Sequence, residues 1–105
     1  MELRKKVMPE TAAEKALEIT QERMAEYGHP AEVFRPVSKL WSAYVGVTLS
    51  PKDVALMMVL HKMGREMTKS KEDNRVDMHG YLLAYERILK REVGEDAVIP
   101  TTTGT

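Results

Sequence analysis

Asp73, Asn74 and Asp77 fall within five residues of one another in the segment EDNRVDMHGY, residues 72–81. Side chains three and four residues apart share one side of a helix, and oxygen donors placed that way can hold a hard divalent cation such as magnesium. Asp73 and Asp77 are therefore candidate catalytic acids. With Asn74, whose carbonyl can ligate without charge, they form a candidate metal-binding set. Upstream, Lys62 and Arg65 lie three residues apart. An ammonium and a guanidinium on one helix face suit phosphate oxygens, the guanidinium in bidentate fashion. If the helices carrying these groups run antiparallel across the short TKSKED connection, the basic pair comes beside the acids around a shared polar hollow. The same cluster, read as interhelical salt bridges, would fix the register of a bundle and need no ligand. Glu14, Glu18 and Glu22 recur every four residues further upstream. Glu18 is a candidate fourth metal ligand from that series, although such a series is more often a solvated stripe.

These side chains need helices to position them. Thr11 followed by Glu14 is a capping box ahead of Ala13, Ala16, Leu17, Thr20, Met24 and Tyr27, which share a face at helical spacing and predict a helix over 12–26. Gly28 and Pro30 stop it in the turn YGHP. Val33, Val37, Leu40, Trp41, Tyr44 and Val45 predict a second helix over 33–45 with Gly46 just past its end; Pro36 either occupies its first turn or kinks it. Ser50, Pro51 and Asp53 combine a hydroxyl cap, a proline at the first position and an acid near the positive end of the dipole. They start a third helix over 51–67. Its run VALMMVLHKMGREM is apolar almost all round, so it is expected to be buried on several sides by its own bundle or by another subunit. The last helix is predicted over 73–92, with Val76, Gly80, Leu83, Ala84 and Ile88 on one face and Met78, Tyr81, Leu82, Tyr85 and Leu89 on another. Gly80 costs its helix about 1 kcal/mol relative to alanine, which a close approach by a neighbouring helix or ligand would explain.

The fold class that follows is all-α: a four-helix bundle-like domain over 10–93, completed by oligomerisation, with flexible segments at 1–9 and 94–105. A chain of 105 residues buries only about two thirds of its unfolded surface, so a partner subunit would help it. Lysine plus arginine equals aspartate plus glutamate at 16 each, and the absence of a basic stripe argues against nucleic acid. With no cysteine there is no disulfide framework, thiolate zinc site or cysteine nucleophile. No apolar run approaches a membrane span, and MELRKK leads into the polar PETAAEK instead of a signal-peptide core. The expected setting is the cytoplasm of a bacterial host. Among the remaining polar and aromatic residues, His29 beside Pro30 reads as a cap for the next helix, His61 as a hydrogen-bonded core residue, and Trp41 and Tyr44 as core or interface.

The segments ERMAEYGHP, LWSAYVGVTLSPKDVALMMVLHKMGR and DNRVDMHGY, in that order, resemble a small helical domain found widely in bacteriophage and prophage proteins of uncharacterised function. The resemblance covers roughly residues 12–90. More remotely, the domain is similar to the all-α nucleoside triphosphate pyrophosphohydrolases of the MazG and dimeric dUTPase kind. Those enzymes pair into oligomers and hold magnesium with an E-x-x-E motif on one helix and E-x-x-D on a later one. A metal-activated water then releases a monophosphate and pyrophosphate. By that likeness, Asp73, Asn74 and Asp77 lie near magnesium, Lys62 and Arg65 on the phosphates, and Tyr27 or Tyr81 beside the base. The chain departs from the pattern at two places: Asn74 stands where E-x-x-D has an acid, and Lys62 and Arg65 stand where E-x-x-E is expected. Three functions follow as expectations: a pyrophosphohydrolase, a nucleotide-binding relative without turnover, or a non-catalytic module that binds a host protein through apolar helical surfaces.

Overall fold

A computed structural model of the chain describes residues 11–94; the segments expected to be flexible lie outside them, except for Gly94. Five helices and no strands are found among the described residues: α1 (Ala12–Tyr27), α2 (Pro30–Val33), α3 (Arg35–Val45), α4 (Pro51–Thr68) and α5 (Glu72–Glu92). The expected all-α bundle is therefore present; the helix expected over 33–45 is α3, beginning at Arg35, and a short helix, α2, precedes it where the end of the YGHP turn was expected.

Local chemistry accounts for the boundaries. In α1, the Thr11 hydroxyl accepts from the Glu14 amide while the Glu14 carboxylate accepts from the Thr11 amide. Ser50 and Asp53 do the same for α4, with Pro51 in its first turn. Each box satisfies two of the amides that a helix start leaves without an internal partner. Gly28 and Gly46 both have positive φ, and Gly46 in the left-handed region closes α3. The division between α2 and α3 follows from His29, Phe34 and Pro36. His29 caps α2, its Nδ1 accepting from the Ala31 amide at 3.0 Å, Phe34 turns the chain, and Pro36 sits in the first turn of α3.

The long final helix α5 is the hub. α4 packs antiparallel along it, tied by Lys52 to Glu92 at 2.8 Å near one end and Lys62 to Asp77 at 3.0 Å towards the other. On another flank α1 runs parallel to α5, with Lys15 bound to Glu72 at 2.8 Å where both begin. Short α2 lies against the far half of α5, where Glu32 accepts from Arg91 at 2.8 Å. The buried apolar side chains are Ala16, Ala31, Val54, Ala55, Val76, Ala84 and Ile88. Four of these seven are alanines, and Val54 is the largest fully buried side chain. Small residues let the helices approach closely, but full burial of a valine or isoleucine contributes only roughly 1.5–3 kcal/mol. The core is thin for its three long helices. His61 on α4, expected in the core, is exposed, as are Ala13 and Leu17 on the apolar face expected for α1, while Tyr44, expected in the core or at an interface, is 92% exposed on α3 and so is not in the core.

Candidate functional site

Two clusters occupy the segment in which the polar residues concentrate. The first closes the α4–α5 turn. Glu66, in the last turns of α4, reaches across the turn and accepts from the Lys71 amide at 3.0 Å, the Ser70 hydroxyl at 2.7 Å, the Asn74 amide group at 3.2 Å and Arg75 at 2.7 Å. The Lys71 side chain makes no cap at the start of α5, so the Glu66 carboxylate serves that helix end from a neighbouring helix. A negative group is favoured there by the exposed amides and the dipole. The Lys71 amide first, then Ser70, with help from Arg75 and Asn74, hold the Glu66 carboxyl down to about 2 from an ordinary 4.5.

The Asn74 side chain joins this clamp through its amide nitrogen. It is 4% exposed, and its amide group donates to Glu66 and to the Lys69 carbonyl, each at 3.2 Å. Asp73 is exposed and makes no ion pair among the described residues, and the same holds for Arg65. Glu18 is exposed on α1, apart from the groove described next. Of the expected acid–base convergence, one pair forms: Lys62 and Asp77 at 3.0 Å, with the lysine side chain the more buried. No group of three His, Cys, Asp or Glu side chains able to hold a metal ion occurs among the described residues.

The second cluster is a groove of about 220 Å³ between α1, α2 and α5, on another flank of α5 from the one expected. Its floor is built from small buried residues, Ala16 and Thr20 on α1 and Val76 and Ala84 on α5. They recur at four- and eight-residue steps, and so line up along facing helix sides. Gly80 lies between Val76 and Ala84; a methyl group there would sit 3.9 Å from the Thr20 hydroxyl. Tyr27, Phe34 and Tyr81 supply aromatic surface, with the Phe34 and Tyr81 rings 6.2 Å apart and tilted. Two charged residues line the groove, Arg23 and Asp77. Asp77 is neutralised by Lys62 from α4, whereas Arg23 is exposed and makes no ion pair among the described residues. Of the two charged lining residues, only Arg23 is without an ion-pair partner among the described residues.

Asp77, Tyr27 and Tyr81 thus meet in one groove, Lys62 stands behind Asp77, and Asp73, Asn74, Arg65 and Glu18 do not line it. Two residues that matter were not singled out from the sequence. Arg23 has a recoverable signal, because it lies three residues after Thr20 and four before Tyr27 and therefore shares their helix side. Glu66 has none, since its partners follow across a turn.

A family model described as "Domain of unknown function (DUF6378)" matches residues 10–89, most of the chain and all of the groove. The chain belongs to this family. It is similar to the gene 55 protein of Mycobacterium phage D29, with 38% identity over 88 residues, covering 82% of this chain and 58% of the relative. The gene 55 protein of Mycobacterium phage L5 is 37% identical over 84 residues, covering 78% of this chain and 52% of the relative. This DUF6378 chain therefore spans little more than half the length of these phage relatives. No solved structure matches it. Among its described residues, no helix is long and apolar enough to cross a membrane.

Proposed function

We propose that this DUF6378 domain binds a small anionic ligand carrying a flat ring, of the nucleotide class, and holds it without hydrolysing it. The observation that carries the reading is the pairing in one groove of an arginine lacking a carboxylate partner with three aromatic rings. Stacking surface and a guanidinium are the groups that recognise a base and a phosphate. Size narrows the class. Pockets for drug-sized ligands run to about 300–1,000 Å³, so a groove of about 220 Å³ suits a base or nucleoside, with its phosphate directed outward to Arg23.

Turnover of the pyrophosphohydrolase kind has less support. Asp77 is the sole carboxylate among the groove residues and is paired with Lys62. Asn74, held through its amide nitrogen by Glu66 and the Lys69 carbonyl, does not line the groove, and neither do Asp73 and Glu18. These donors do not fit the two-motif magnesium site that the remote resemblance implies.

The test is calorimetric titration of the full chain with nucleoside mono- and triphosphates, with and without magnesium, combined with assay for pyrophosphate release. Binding is expected without release, and Arg23→Ala should weaken it roughly 10–100-fold, the value of a hydrogen bond to a charged group. Absence of binding across the panel would contradict the reading. Pyrophosphate release abolished by Asp77→Ala would establish the hydrolase instead.

A further inference from the structure

Two polar side chains lining the groove keep hydrogen-bonding capacity to spare. Thr20 is only 8% exposed, yet its hydroxyl makes no hydrogen bond among the described residues. A hydroxyl on a helix can turn back to a carbonyl three or four residues earlier, as Ser38, Ser42 and Thr68 do. Thr20 does not. Asp77 has one carboxylate oxygen, Oδ2, on Lys62 at 3.0 Å, and no other group among the described residues bonds to it. A carboxylate offers about four acceptor sites, so Asp77 can still take two N–H donors side by side. Asp77 lies one helical turn before Gly80, and a methyl on Gly80 would sit 3.9 Å from the Thr20 hydroxyl. Both groups therefore front the same stretch of groove.

We propose that Asp77 and Thr20 make the groove selective for guanine, with Asp77 accepting from the ring N–H and the 2-amino group and the Thr20 hydroxyl donating to the adjacent carbonyl. This rests on the reading of the groove as a nucleotide site. Stacking on Tyr27, Phe34 and Tyr81 tolerates any base, so selection falls to the polar edge. A carboxylate needs neighbouring donors there and is repelled by a lone pair. Guanine alone of the common bases presents two adjacent donors, followed by a carbonyl acceptor. In adenine and cytosine the ring nitrogen beside the amino group carries a lone pair, and in uracil and thymine the single N–H lies between two carbonyls. Each of these would set acceptor against acceptor at Asp77. The Thr20 hydroxyl supplies the donor that the guanine carbonyl requires, and gives up no internal bond to do so.

Calorimetric titration of the full chain with guanosine, inosine, adenosine and uridine monophosphates tests this. The guanosine form is expected to bind about tenfold or more tighter than each of the others. The inosine form is the sharpest comparison, because it lacks only the 2-amino group. Asp77→Asn should reverse the order: an amide accepts from one neighbour and donates to the next, so xanthosine monophosphate, with a carbonyl in place of the 2-amino group, should overtake the guanosine form. An Asp77 with a merely structural role would instead lower every nucleotide together. Thr20→Val should weaken the guanosine form about three- to tenfold with an unchanged thermal midpoint, since the hydroxyl has no internal partner to lose. Equal affinities across the four nucleotides, or an inosine form as tight as the guanosine form, overturn the selectivity and leave the nucleotide reading standing. Binding by none of them overturns both.

Discussion

The α4–α5 turn and the α1–α2–α5 groove lie within two helical turns of each other on α5, yet they treat their polar groups in opposite ways. At the turn, Glu66, Ser70, Asn74 and Arg75 satisfy one another and the backbone of the turn, leaving little for a ligand to bind. In the groove, Arg23 faces solvent without an acid, and tyrosine rings line open space. A dense run of polar residues is therefore a poor guide to a site. The better guide is a polar group still lacking a partner beside a surface that could hold one, because binding gains only from groups not already satisfied.

The largest expected contrast between the two regions is in ligand affinity. Arg23→Glu should weaken nucleotide binding by about 100-fold or more, roughly 2.7 kcal/mol, with the thermal midpoint essentially unchanged. Glu66→Gln should do the reverse, lowering the thermal midpoint while leaving affinity within about twofold; calorimetry and thermal melts on the same samples read both. Equal losses of affinity in the two variants would erase the distinction between clamp and site.

Acid sharpens it further. The Glu66 carboxyl titrates at about 2 in the folded chain against an ordinary 4.5, so between these values the unfolded chain takes up a proton that the folded chain does not. The stability that Glu66 contributes is complete above about pH 4.5 and is lost as pH falls towards 2. Thermal melts across that window should fall more steeply for the parent than for Glu66→Gln. Glu32, lowered chiefly by Arg35, and Glu72, lowered chiefly by Lys15, add to the same acid limb and are unaffected by that substitution.

Smaller effects follow in the groove floor and behind it. Gly80→Ala replaces a helix-interior glycine where the new methyl meets the Thr20 hydroxyl at an ordinary contact distance of 3.9 Å. It should stabilise the fold by up to about 1 kcal/mol while narrowing the floor and weakening the ligand a few-fold. Lys62→Ala removes one partner of a half-exposed pair and should cost no more than about 1 kcal/mol, read from a denaturant midpoint.

Most of the helix pattern was legible because its punctuation is local. Thr11 with Glu14, Ser50 with Asp53, and Gly46 each act within four residues, and the predicted bounds of α1, α4 and α5 differ from those observed by a single residue. The division of α2 from α3 was less legible, because it depends on how Phe34 turns the chain between His29 and Pro36. Periodicity identified the apolar rows of α4 but not what covers them, and half of its circumference proved exposed. The site was partly readable. Tyr27, Asp77 and Tyr81, three of the residues the sequence points to, line the groove, whereas the close approach expected at Gly80 is not found among the described residues, since a methyl there would meet the Thr20 hydroxyl at an ordinary 3.9 Å. Arg23 shares the helix side of Thr20 and Tyr27, but its lack of an ion-pair partner in the groove shows only in the fold; Glu66 reaches four to nine residues onward across a turn that no helical spacing rule spans.

The central claim is that the groove, and not the polar turn, receives the ligand. Amide chemical-shift mapping of the full chain during titration with a nucleoside monophosphate tests it most directly. Shifts should concentrate at residues 19–34 and 76–84, with 66–75 nearly still. Shifts centred on 66–75, or none at saturating nucleotide, would contradict it.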